Sequence, residues 1–280
     1  MKILAIGDFH GKFPLKLKNK LSKEDFDLVL GLGDYTGLPE WRPIIMMQLK
    51  VKKKGGDVLS TEEIIGKRRY TALLKKDYAA GRVVLKEIDR LNKPGFVLFG
   101  NGDWYRIFFN DVGKFYEDYV KKLRNIRQIN RGKARFNGIT FIGFGGYMDI
   151  DVYFTKKDPN FRKRVQRREE SQRKLNKILF KTKGERIFLF HYPPKGVFDI
   201  IHGGKKNPMT GNSAGIGFFR EALLRYRPKL ALCGHMHEYQ GAKKIGKTLV
   251  VNPGDAERGR YAIIDYPDGG KGKIKVKFVN

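Results

Sequence analysis

Short, unbroken apolar runs recur along the chain, and each stops abruptly in polar residues. Five share this form: ILAIGDFH (3–10), LVLGLGDY (28–35), FVLFGNGD (96–103), IFLFHYPP (187–194) and LALCGHMH (230–237). Runs of this length punctuated by glycine fit strands buried on both faces. A sixth run, GITFIGFGGY (138–147), predicts one more strand. Between the runs, residues 61–92 and 160–181 place apolar side chains at helical spacing. After His237 the pattern changes: AKKIGKTLVVNPGD, RYAIIDYPDGG and KIKVKFVN alternate apolar with polar residues around glycine turns. Alternation of that kind predicts antiparallel strands. The chain is therefore expected to be an α/β sandwich of two sheets covered by helices. In such sheets ligands collect beyond the carboxyl ends of the strands, so the polar endings are expected to meet.

Those endings carry Asp8, His10, Asp34, Asn101, Asp103, His191, His235 and His237, which include four of the chain's five histidines. Burying imidazoles and carboxylates together at one sheet edge is costly unless a cation organises them. Strand alternation suggests how they converge: residues i and i+2 point the same way, so Asp8 with His10, and His235 with His237, would each offer two donors to one side. Seven donors with one shared carboxylate suit two metal ions rather than one, leaving positions open for water and substrate.

Length and composition narrow the class. At 280 residues, with 41% hydrophobic and 31% charged, the chain is expected to be a single globular domain over 1–280. The opening MKILAIGDFHG lacks the apolar core of a signal peptide, and no run reaches the length of a membrane span, so no membrane association is expected. One cysteine, Cys233, excludes a disulfide framework and favours a cytoplasmic location. The 58 Lys and Arg against 29 Asp and Glu give a net charge of +29, which suits an anionic partner such as a nucleotide or nucleic acid and equally suits a lysine-rich solvated surface. The excess concentrates in two predicted basic helical insertions, at about 39–93 and 155–184. Tyr70, Tyr78, Phe161 and Phe180 are interspersed there, either as core residues or as a stacking surface for bases.

The ordered blocks D8-F-H10, G33-D34-Y-T, G100-N-G-D103, H191 and G234-H-M-H237 resemble the motifs of the calcineurin-like metallophosphoesterases, as in small prokaryotic or archaeal members. The NPGD run (252–255) and RGRYAIID (258–265) resemble that family's closing strands. The resemblance implies a four-layer αββα sandwich of two mixed β-sheets flanked by helices. Carried over by position, it implies one metal held by Asp8, His10, Asp34 and His237, and a second held by Asp34, Asn101, His191 and His235, with Asp34 bridging. Two divalent ions are implied, drawn from manganese, iron, zinc and nickel, together with hydrolysis of phosphodiester or phosphomonoester bonds by a two-metal-activated water. Asp34, Asn101 and Asp103 then fall in the catalytic set, and Asn101 and Gly102 against the substrate.

One position departs from the family pattern. Gly102 stands where the family usually has a histidine beside the leaving oxygen, so substrates with good leaving groups or a donor from elsewhere are favoured. His202, in DIIHGGKKN, is a speculative proton donor set against an ordinary surface histidine. Three functions stay open: a phosphoesterase acting on small nucleotide-like substrates, a nuclease using the basic helices, and a non-catalytic binding scaffold.

Overall fold

A computed structural model gives the fold, describing residues 1–54, 56–103, 116–151, 158–204, 207–267, 269 and 272–280. The first six-stranded sheet has the order β12-β11-β1-β2-β3-β4. Its strands are β1 (Lys2–Ile6), β2 (Leu28–Gly31), β3 (Gly95–Val97), β4 (Ile126–Gln128), β11 (Tyr261–Asp265) and β12 (Lys275–Val279). The second has the order β5-β6-β7-β8-β10-β9, built from β5 (Gly132–Phe136), β6 (Ile139–Phe144), β7 (Arg186–Phe190), β8 (Leu230–Leu232), β9 (Gly241–Ile245) and β10 (Thr248–Asn252). Both are mixed. Strands β1 to β4 run parallel, as do β6, β7, β8 and β10; β5, β9 and β12 pair antiparallel at edges, and β11 pairs antiparallel with both β1 and β12.

The period of two along each strand explains the layering. Ile3, Ala5, Leu28 and Leu30 face Ile187, Leu189, Leu230 and Leu232 across the gap between the sheets. Their neighbours Leu4, Ile6 and Val29 turn outward onto α1 (Leu15–Leu21) and α4 (Lys67–Asp89), where Leu17, Leu21, Leu74 and Leu85 cover them. On the far side Phe188, Phe190 and Ala231 pack against α5 (Phe161–Phe180) and α6 (Gly217–Tyr226) through Leu175, Leu179, Phe219 and Leu223. Helices, sheet, sheet, helices is the four-layer arrangement expected from the sequence. Burying one such aliphatic or aromatic side chain contributes about 1.5–3 kcal/mol, which is why the strands read as continuous apolar runs.

The first basic insertion contains α2 (Trp41–Lys53), α3 (Thr61–Ile65) and α4. The predicted helix over 61–92 is in fact two: Ser60 and Glu63 form a capping box at the start of α3, and Gly66, at φ 78°, breaks the chain before α4. Tyr70, Leu74, Asp77, Gly81, Leu85 and Ile88 form the buried stripe of α4, while Arg68, Lys75, Arg82 and Lys86 are exposed on its other face. Of the second insertion, residues 155–157 lie outside the described residues, and α5 fills most of the rest. Tyr70 is core, whereas Phe180 is 82% exposed. No helix among the described residues is long and apolar enough to cross a membrane.

Candidate metal centre

The parallel strands end earlier than the apolar runs suggest. β1 stops at Ile6 and β8 at Leu232, so Asp8, His10, His235 and His237 lie on the loops that follow. Strand alternation is therefore not what aims them, and that expectation is corrected. Asp8 (φ 57°), His10 (φ 47°), Asp34 (φ 50°) and His235 (φ 68°) all sit in the left-handed region, which is unfavourable for residues with a Cβ. Each such residue costs of order 1–3 kcal/mol and persists only where surrounding structure enforces it, most often at functional sites.

The loops converge on one pocket. Ligand atoms of Asp8, His10, Asp34 and His237 all lie within 4.8 Å of one another, and so do those of Asp34, His191 and His235. Asp34 belongs to both groups. Asn101 joins the second, its Oδ1 2.9 Å from His191 Nε2. His10 Nε2 and His237 Nε2 face each other at 2.9 Å, and Asp8 Oδ1 is 3.6 Å from His237 Nε2. All seven residues for which the sequence suggested a metal role thus lie in one cluster.

Hydrogen bonds behind the cluster fix its orientation. His10 Nδ1 donates to the Gly37 carbonyl at 3.2 Å and His191 Nδ1 to the Leu32 carbonyl at 2.9 Å, so both Nε2 atoms point inward; that of His191 carries a proton toward Asn101 Oδ1, which a metal would replace. The His235 backbone N–H donates to both Asp8 oxygens, at 3.1 and 3.0 Å. Gly102 N–H donates to Asp34 Oδ1 at 2.7 Å. Asn252, the first residue of the NPGD run, donates through Nδ2 to the Met236 carbonyl at 3.2 Å and so pins the turn between His235 and His237.

Two motif glycines are explained by close approach. A Cβ on Gly100 would lie 2.1 Å from Asp34 Oδ1 and 2.5 Å from the Asp34 backbone nitrogen. On Gly234 it would lie 2.7 Å from Asp8 Oδ2. Each carboxylate therefore rests directly on the backbone of the loop that carries a neighbouring donor.

The donor set fits cations. Burial opposes the charge on Asp34 and on Asp8, yet the neighbouring imidazoles hold both carboxyls below their ordinary range. Burial would lower His191, but Asp34 and then Asp8 overcome it and lift the imidazole to about 9. His235, buried and beside His191, is pushed down to about 3. Without a metal, protons on the imidazoles offset the two buried carboxylates; a cation would take the place of those protons and leave the nitrogen and oxygen donors with their lone pairs turned to it.

Asp103 does different work from the cluster. Its Oδ2 accepts from Gly100 N–H at 2.8 Å and its Oδ1 from Thr36 N–H at 3.1 Å, clasping the loop of Asn101 to the loop of Asp34. Burial, with the charge of Asp34, pushes it up to about 8 against those two donors. His202 is exposed and lies outside both donor groups. Its backbone N–H donates to Glu238 at 3.0 Å and its ring lies 5.6 Å from that of Tyr239, on the segment just past His237. Gly102 leaves little space: a Cβ there would sit 3.2 Å from Asp34 Oδ1 and 3.3 Å from the Thr36 carbonyl.

One supporting residue escaped the sequence reading. Asp77, fully buried on α4, accepts from Gly37 N–H at 2.9 Å and Leu38 N–H at 2.8 Å, fixing the peptide whose carbonyl orients His10. Its signal was an acid on the buried stripe of a basic helix. Asp77→Ala leaves two backbone donors without their carboxylate, each costing about 1–3 kcal/mol where it stays buried. It is expected to weaken metal binding by about tenfold, the low end for an outer-shell partner. Competition of the variant against a chelator for manganese measures this, and unchanged affinity would remove Asp77 from the support of His10.

Comparison with known proteins places this geometry. The model of the family described as "Metallophosphoesterase, calcineurin superfamily" matches residues 1–277. The chain belongs to that family. A search of curated proteins returns no match. Among solved structures, one is 22% identical with a TM-score of 0.69, covering 99% of this chain and 98% of the other. TT1561 of Thermus thermophilus is 17% identical with a TM-score of 0.54, covering 99% and 97%. A dimetal phosphatase from Danio rerio is 10% identical with a TM-score of 0.53, covering 99% and 95%. At these identities the likeness establishes the fold. Family and donor cluster together support a metal-dependent phosphoesterase.

Proposed function

We propose that the protein is a dinuclear metal-dependent phosphohydrolase that cleaves phosphodiester or phosphomonoester bonds in small, nucleotide-like substrates. The observation that carries this reading is Asp34, whose carboxylate stands in two donor groups at once. Asp8, His10, Asp34 and His237 would hold one ion and Asp34, Asn101, His191 and His235 the other. The borderline mixture of nitrogen and oxygen donors suits manganese, iron, zinc or nickel. Bound there, a pair of divalent ions supplies Lewis acidity toward phosphoryl oxygens and activates water as the nucleophile.

The chain's own residues set the conditions. Asp8 and Asp34 contribute two negative charges, and Asn101 adds a neutral oxygen, so a pair of dications leaves the site positive toward a phosphate anion. The Leu32 and Gly37 carbonyls hold the His191 and His10 rings in register. Gly102 brings a backbone N–H to Asp34 and no proton donor for a leaving oxygen. A cytoplasmic location, with Cys233 buried as a free thiol, belongs to the same reading.

Assay with a chromogenic bis-aryl phosphate across a panel of divalent metals tests it. Metal-dependent turnover is expected, and none with any metal would defeat the reading. Because no imidazole stands at 102, rates should fall steeply as the leaving group becomes more basic. Gly102→His should flatten that slope, and an equal slope in both proteins would show that protonation comes from elsewhere.

The exposed row Arg68, Lys75, Arg82 and Lys86 on α4 supports a second reading, a nuclease that holds a nucleic-acid backbone there. Gel shifts with single- and double-stranded nucleic acid separate the two. Binding that weakens steeply with salt favours the nuclease, and none at low salt excludes it.

A further inference from the structure

A second cavity, of about 110 Å³, opens between the loop that follows β6 and the helices α5 and α6. On this measure a single water needs roughly 10–15 Å³, so the space holds a tetrahedral oxyanion. Its lining includes the basic side chains of Arg131, Arg167, Arg168 and Lys174, against the carboxylates of Asp149 and Glu170, an excess of two positive charges.

Several of these charges are already paired, Arg168 among them, which bonds Asp151 at 2.9 Å. Arg167 grips Asp149 through Nε at 2.8 Å and Nη2 at 3.0 Å, and Arg164 bonds it as well. Glu170 accepts from Gln166 at 3.2 Å. Arg131 enters at φ 54° with its guanidinium 5.5 Å from the Phe144 ring, a platform that holds a cation largely out of water. Ser171 is 8% exposed, and its hydroxyl, on the cavity wall, makes no hydrogen bond to another described residue. A buried hydroxyl and a net positive lining are complementary to an oxyanion that accepts hydrogen bonds and carries two charges.

The cavity stands at the same sheet edge as the metal centre. β6 and β7 are parallel neighbours with Phe144 opposite Phe190; the first leads into Tyr147, Met148 and Asp149, the second into His191. We propose that this cavity is a second phosphate-binding site, which takes a phosphate dianion either as the second phosphate of a doubly phosphorylated substrate or as free inorganic phosphate. The first source deepens the phosphohydrolase reading and rests on it; the binding itself does not.

Equilibrium dialysis of inorganic phosphate against the metal-loaded protein tests the site. The wild type is expected to bind two equivalents and Asp34→Asn one, the one in this cavity. Lys174→Ala, an exposed helix position, and Ser171→Ala should each weaken the cavity equivalent by about tenfold, and Arg131→Gln by more. If the metal-centre reading fails and this one holds, wild type and Asp34→Asn both bind one equivalent, still sensitive to Lys174→Ala. Steady-state kinetics assign the source: a rise in KM of about tenfold in Lys174→Ala confined to doubly phosphorylated nucleotides names the substrate, and equal KM values with weakened phosphate binding name free phosphate. Phosphate binding that is the same in Lys174→Ala, Ser171→Ala and the wild type overturns the proposal.

Discussion

Asp34→Asn is expected to abolish metal-dependent turnover and to leave the protein unable to retain either ion at stoichiometric loading. The substitution is nearly isosteric, so Gly102 N–H, 2.7 Å from Oδ1 in the parent, keeps an oxygen to bond. What disappears is the one charge that both donor groups share. An outer-shell change typically costs 10–100-fold in metal affinity or activity, and removal of a shared ligand should exceed about 100-fold. Metal content after dialysis and turnover of an aryl phosphate are the two readouts. Full activity with both ions retained would show that Asp34 does not bridge.

Gly100→Ala should be nearly as damaging by a different route. The added methyl would meet the Asp34 backbone nitrogen at 2.5 Å and its Oδ1 at 2.1 Å, and the backbone atom has no rotamer by which to move away. Ordinary overpacking of a core costs about 1–3 kcal/mol. A clash with backbone on two loops that Asp103 already clasps should lie at the upper end or beyond. For a domain of this size that lowers the melting temperature by several degrees, at roughly 2–4 °C per kcal/mol. Thermal unfolding together with metal content measures it, and a variant that melts with the parent and binds metal normally would show the loops to be slack.

Much of this was legible in the chain. The donors stood at the ends of apolar runs because buried parallel strands leave their polar residues at the carboxyl edge; those endings collected eight candidates, and the family resemblance implied which seven would hold metal and set Asp103 apart. The way they are aimed was not legible. Alternation predicted Asp8 with His10 on a strand, whereas the strand ends at Ile6 and the left-handed turns at Asp8 and His10 do the aiming. Hydrophobic pattern reports which face is buried and carries no information on φ. Strands β4 and β5 were missed because their residues, such as Arg127, Lys133 and Arg135, lie at a sheet edge with one side in water. Asp77 was hidden because its partners are backbone N–H groups of Gly37 and Leu38, forty and thirty-nine residues away. The single helix expected over 61–92 failed at Gly66, where one left-handed residue outweighs continuous helical spacing on either side.

The central claim is that two cations share the Asp34 carboxylate, and anomalous diffraction from crystals of the manganese-loaded protein tests it most directly. Two peaks per chain are predicted, one among Asp8, His10, Asp34 and His237 and the other among Asp34, Asn101, His191 and His235. A lone peak, or density remote from Asp34, would contradict it.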